Sequence, residues 1–173
     1  MNRVAEFEKV SFTQFQISAE LCNVPLAADK LFDAYNNIQL PQRATSGSAG
    51  YDFYSPFFFT LSTRETITIP TGIRVNIEPG WWLGILPRSG HGFKFRIQLD
   101  NTMGVIDSDY YFADNEGHIL VKLTNDSLTG KHLSLSEGDS FCQGIFLPYG
   151  ITMGDDAAGK RIGGFGSTGK GGA

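Results

Sequence analysis

Residues 73–80 read Ile-Arg-Val-Asn-Ile-Glu-Pro-Gly, and they set the period of the chain. Ile73, Val75 and Ile77 alternate with Arg74, Asn76 and Glu78, and Pro79-Gly80 then supplies a turn. Successive strand residues face opposite ways, so this pattern predicts a strand with one buried and one wet face. The same alternation recurs outward. Phe95, Ile97 and Leu99 alternate with Arg96, Gln98 and Asp100, and Ile119, Val121 and Leu123 with Leu120, Lys122 and Thr124. Trp81–Leu86 and Phe141–Leu147 are short apolar runs, the second closed by Pro148. Short strands punctuated by Gly, Pro, Asn and Asp indicate an all-β sandwich, jelly roll or barrel.

The 173 residues fit one domain, and 41 % apolar content is enough for a core. A net charge of −4 excludes a broad basic surface for nucleic acid. Cys22 and Cys142 lack metal-ligand spacing, three scattered His add no zinc pattern, and both cysteines read as packed residues of a reducing compartment. No segment is long and apolar enough to span a membrane and the polar start is no signal peptide, so a cytoplasmic protein is expected. One helix is expected from Leu26 to Tyr35, with Pro25 in its first turn and Ala28, Leu31, Phe32 and Tyr35 on one side. The expected division is a barrel domain over residues 1–153, with an extension at 1–37, and a mobile Gly-rich arm over 154–173.

Residues 101–110, Asn-Thr-Met-Gly-Val-Ile-Asp-Ser-Asp-Tyr, place two carboxylates and a tyrosine after a strand-forming run. Asp107 and Asp109 would share a face if the strand continued, a pairing suited to base- or metal-assisted chemistry on a ring-bearing substrate; a polar hairpin is the plain alternative. In the tail, Gly164 to Lys170 fits the start of a phosphate-binding Walker loop, but Gly171 follows and no helix can. Its exposed N–H groups, with Ser167, Thr168, Arg161 and Lys170, still suit phosphate oxygens. Phe165, lone among glycines, suits the cover of a ligand ring. Arg88 and Ser89 at a strand end are further candidates for phosphate, and Gln143 either satisfies a structural need or faces a ligand.

Ala49–Asp52 (AGYD), Pro87–Gly90 (PRSG), Gly104–Tyr110 (GVIDSDY), Gly138–Gln143 (GD-x-x-x-Q) and Gly163–Gly169 (GGFGSTG) occur in that order. Their sequence closely resembles the five motifs of the trimeric deoxyuridine triphosphatase (dUTPase) family, from Leu40 to the C-terminus. The resemblance implies a distorted jelly-roll β-barrel with one short added helix, a homotrimer with sites between subunits, and Mg²⁺-assisted hydrolysis of dUTP to dUMP and pyrophosphate. It implies Asp107 as general base, Asp52 as an indirect support of the metal-water network, and a metal held by substrate phosphates and water rather than by a protein cage. Arg88, Ser89, Gly90 and Gln143 would meet phosphates, Asn101, Gly104 and Ile106 would read uracil, and Tyr110 would pack on the deoxyribose. Phe165 would stack on the base, while Gly166, Ser167 and Thr168 and either Lys160 or Arg161, with Arg161 favoured, would close on the phosphates.

The chain departs from the family pattern in residues 111–117, in the place of the arm's arginine and at His91, which reads as variation. A dCTP deaminase of the same superfamily is a weaker match, since its centre needs a glutamate where Asp107 stands. A nucleotide-gated regulatory protein, binding a protein partner through residues 1–37 or 111–117, is the other alternative.

Overall fold

The computed structural model describes residues 2–24, 26–159, 161 and 163. The alternating stretches form antiparallel strands in the order β1 (Ala5–Lys9), β2 (Tyr51–Tyr54), β3 (Phe59–Leu61), β4 (Thr66–Pro70), β5 (Ile73–Ile77) and β6 (Trp81–Pro87). Then come β7 (Ile97–Leu99), β8 (Gly104–Ile106), β9 (Leu120–Asn125), β10 (Leu133–Leu135) and β11 (Ser140–Pro148). They build a jelly-roll barrel from a four-stranded sheet β2-β11-β6-β8, a three-stranded sheet β4-β9-β7, and the pairs β1-β5 and β10-β3.

The period does what the sequence asks of it. Ile73, Val75 and Ile77 are buried while Asn76 is exposed, and Val121 and Leu123 enter the same core as Phe53, Leu83, Ile85 and Phe141. Strand β6 lies inside the larger sheet. On one side Ile85 faces Gly104 and Leu83 faces Ile106; on the other Leu86 faces Gln143, which itself faces Asp52. The motif residues Asp52, Arg88, Asp107 and Gln143 therefore all hang from one sheet. Cys142 is buried and Cys22 half-buried, and both are free thiols.

Three local expectations are corrected. The N-terminal helix runs over Ala28–Asn37 (α2), starting later than Leu26, and Pro25 lies outside the described residues. An unforeseen helix α1 (Phe12–Leu21) precedes it, capped by Ser11, whose Oγ accepts from the Gln14 N–H at 3.1 Å. Its signal was present: Ser11 and Gln14 have the S-x-x-Q spacing of a capping box. Third, Phe95 ends a helix α3 (Ser89–Phe95) instead of opening a strand. Arg96 stops that helix in the left-handed region (φ 52°), where its guanidinium is held by Asp126 at 2.8 Å, and only then does β7 begin.

Candidate active site

The chain presents two neighbouring groups of candidate residues. The first surrounds a cavity of about 410 Å³ bordered by Ser48, Gly50, Asp52, Arg88, Ser89 and Gln143. Arg88 leaves the end of β6, and Asp52 on β2 receives it: Nε stands 3.1 Å from Oδ1 and Nη2 3.4 Å from Oδ2. A two-point carboxylate contact fixes the plane of a guanidinium, so Asp52 aims Arg88. Gln143 is held from β11 by donating Nε2 to the Pro87 carbonyl at 3.1 Å. Its Oε1 lies where a side chain on Gly50 would begin, 2.6 Å from an ideal Cβ, so glycine there makes room for the amide. Ser89 opens α3 and is exposed, and Gly90 borders open space.

The second group lies across β6. A cavity of about 350 Å³ is lined by Asn101, Gly104, Ile106, Ile85, Leu99 and Lys122. Asn101 belongs to the tight turn between β7 and β8, with Thr102 at φ 66°. A Cβ on Gly104 would meet the Ile85 Cβ at 3.1 Å, so glycine keeps this wall thin.

Strand β8 ends at Ile106, which corrects the expected shared strand face of Asp107 and Asp109. A 3₁₀ turn, Ser108–Phe112, starts immediately after Asp107. The two carboxylates converge all the same, through a cation. Arg161 Nη1 donates to Asp107 Oδ2 at 2.8 Å and approaches Asp109 Oδ1 at 3.3 Å. Its guanidinium also covers the Tyr110 ring, 4.9 Å from the centroid, a distance at which the ring face attracts a cation. Tyr110 is 2 % exposed. Its hydroxyl donates to the His118 carbonyl at 2.8 Å and accepts from Asn115 Nδ2 at 2.8 Å. Burial pushes the phenol pKa up, so the group stays a neutral donor.

Sequence reasoning missed Asn115 and His118. His118 is fully buried: its Nε2 accepts from the Gly72 N–H at 2.8 Å, and its Nδ1 lies 2.8 Å from Ser18 Oγ. Because Nε2 accepts, Nδ1 carries the proton and Ser18 receives it. Burial holds the imidazole pKa down at about 4. His91 has its pKa lowered, chiefly by burial, and its Nδ1 has no hydrogen-bond partner among the described residues. Lys160, Phe165, Gly166, Ser167 and Thr168, expected to complete the site, lie outside the described residues. Among the described residues no group of three or more His, Cys, Asp or Glu is placed to hold a metal ion, and no helix is long and apolar enough to cross a membrane.

A sequence model of the family described as dUTPase matches residues 36–169. The chain belongs to the dUTPase family. The deoxyuridine 5′-triphosphate nucleotidohydrolase of Lactococcus lactis is 38 % identical over 135 residues, spanning 76 % of this chain and 89 % of that protein. The protein of the same name from Finegoldia magna is 37 % identical over 147 residues, spanning 81 % and 97 %. Among solved structures, the dUTPase of Streptococcus mutans superposes with a TM-score of 0.62 at 28 % identity, covering 86 % of this chain and 98 % of that one. The dUTPase of the Staphylococcus aureus phage phi11, solved as a point mutant that shows the coordination of a structural Mg(II) ion, shares the fold at 17 % identity, with a TM-score of 0.61 and coverage of 91 % and 98 %.

Proposed function

We propose that this dUTPase-family chain hydrolyses dUTP to dUMP and pyrophosphate, with Asp107 as the general base. The observation that carries the reading is the position of Asp107. It leaves the end of β8 directly beyond the turn and strand that line the Asn101–Ile106 cavity, three residues before Tyr110. Uracil in that cavity would meet backbone groups around Gly104 and Ile106 and the Asn101 side chain, which match its O4 and N3–H and mismatch cytosine. The Tyr110 ring would lie under the deoxyribose and leave no space for a 2′-hydroxyl.

Asp107 takes a proton from water, the water oxygen bonds to the α-phosphorus, and the bond to the bridging oxygen breaks to release pyrophosphate. Arg88, Ser89 and Gln143 supply donors to the phosphate oxygens as charge builds there. Mg²⁺ bound to the phosphates would neutralise the leaving group. The donor set fits that mode of binding: Asp52, the acid beside the phosphate-side donors, is engaged by Arg88, so the metal would ride on triphosphate and water.

Arg161 takes two positions in this scheme. Without nucleotide it neutralises Asp107 and covers Tyr110; with nucleotide it swings to the γ-phosphate, which frees the base and uncovers the ring. Phe165, Ser167 and Thr168 would follow it as the arm closes over base and phosphates. The phosphate-binding and uracil-binding groups of one chain border separate cavities, which suits a homotrimer in which neighbouring copies complete each site.

Pyrophosphate release from dUTP and the four common deoxynucleoside triphosphates, with and without Mg²⁺, tests the reading. Strong preference for dUTP, lost in EDTA, is expected; ammonia release from dCTP would establish a deaminase instead. A second reading, a nucleotide-gated regulatory protein, draws on Ile17, Leu21 and Phe32, large apolar side chains exposed on α1 and α2. Equal capture of a protein partner with and without dUTP would refute it.

A further inference from the structure

Residues 1–35 precede the family match, and residues 111–117 follow the third motif directly. In the fold these two stretches grip each other. Tyr111 donates its hydroxyl to Glu8 on β1 at 3.0 Å, and Glu8 also holds Arg74, whose guanidinium lies 4.4 Å from the centre of the Tyr111 ring. Glu116 accepts from Ser11 at the start of α1, from the N–H at 2.7 Å and from Oγ at 2.6 Å. His118 donates to Ser18 on the buried face of α1. Glu8, Ser11 and Ser18 all precede the family match.

The end of this clasp is Tyr110. Its hydroxyl is fixed by the His118 carbonyl and by Asn115 Nδ2, and Asn115 also donates to that carbonyl at 3.3 Å. Gly117 turns the loop at φ 69°, and a Cβ there would stand 2.8 Å from the Tyr110 carbonyl oxygen. The ring's place is thus set by the loop, and the loop's place by α1.

We infer that Asn115 and His118, braced by Ser18 of the N-terminal helix, are positioning residues that hold the Tyr110 ring as the steric gate against ribonucleotides. The inference rests on the dUTPase reading. A ring tied at its hydroxyl cannot tilt away from a 2′-hydroxyl; an untied ring can, and the hindered substrate gains access.

The test is kcat/KM for dUTP and for UTP in the parent protein, in Asn115→Ala, and in Ser18→Ala with Ser18→Thr as the hydroxyl-restoring control. Loosening the gate raises kcat/KM for UTP about tenfold without raising that for dUTP, and Ser18→Thr returns UTP turnover toward the parent value. Damage to folding alone would lower both substrates together. UTP turnover that is unchanged, or that falls in step with dUTP in both alanine variants, overturns the inference. Failure of the parent protein to hydrolyse dUTP would overturn the functional reading itself, a separate result.

Discussion

Acid should weaken this fold through His118 before the carboxylates respond. The imidazole is 0 % exposed, accepts from Gly72 and donates to Ser18, so the native state holds it neutral. Its pKa falls from 6.5 to about 4, driven by desolvation and opposed by Glu116. A group whose folded pKa is depressed binds more protons when unfolded, so stability falls as pH falls through the window between the two values. The full shift corresponds to about 3 kcal/mol, of which about 2 kcal/mol is lost between pH 7 and about pH 5. That is a large share of a typical net stability of about 5–15 kcal/mol. The assay is urea unfolding at fixed protein concentration across this range, comparing the parent with His118→Gln, which cannot titrate. The parent should lose about 2 kcal/mol relative to the variant on going to about pH 5. Parallel pH curves for the two proteins would refute the buried neutral imidazole.

Asp107→Asn should lower turnover of dUTP by about 10²–10⁴-fold while nucleotide binding persists, read by kcat beside calorimetric titration. Arg161→Ala should lower kcat/KM by about 10²-fold, and Arg161→Lys should recover little of it, because an ammonium cannot span two acceptors in the same plane. Gly50→Ala should displace the Gln143 amide and raise KM for dUTP, with a smaller effect on thermal stability, since the clash is with a side-chain end. Gly117→Ala should cost about 1–3 kcal/mol in urea unfolding, because both the positive φ and the contact with the Tyr110 backbone oppose a Cβ.

The strands are legible in the sequence because their burial follows the period-two pattern: Ile73, Val75, Ile77, Val121 and Leu123 all face the core. The candidate site is legible as an ordered set of motifs, and the structure brings Asp52, Arg88, Ser89 and Gln143 to one cavity and Asn101, Gly104 and Ile106 to another. Two helices are hard to read for different reasons. Helix α1 buries only Phe15, Ser18 and Ala19, so its apolar face is narrow, although its cap is written at Ser11 and Gln14. Helix α3 contains Gly90 and Gly92, which disfavour helix, and ends where Arg96 adopts a left-handed conformation that no alternation predicts. Asn115 and His118 give no signal because polar residues in a loop read as solvated. Their importance comes from the hydroxyl of Tyr110 and from partners such as Ser18 and Gly72, far away in the chain.

Strand β6 carries a last consequence. Its middle is registered to Gly104 and Ile106 and its end to Gln143, while the chain runs on covalently into Arg88. A strand advances about 3.4 Å per residue, so the spacing between the two cavities is a fixed multiple of that length, indifferent to how tightly the interior is filled. Replacing Leu83 or Phe53 by a smaller apolar residue would soften the barrel without changing this ruler. Apolar substitutions can therefore accumulate in the interior at constant spacing of the two cavities, whereas a single insertion between Ile85 and Arg88 would move Arg88 one whole step from the Gly104 cavity.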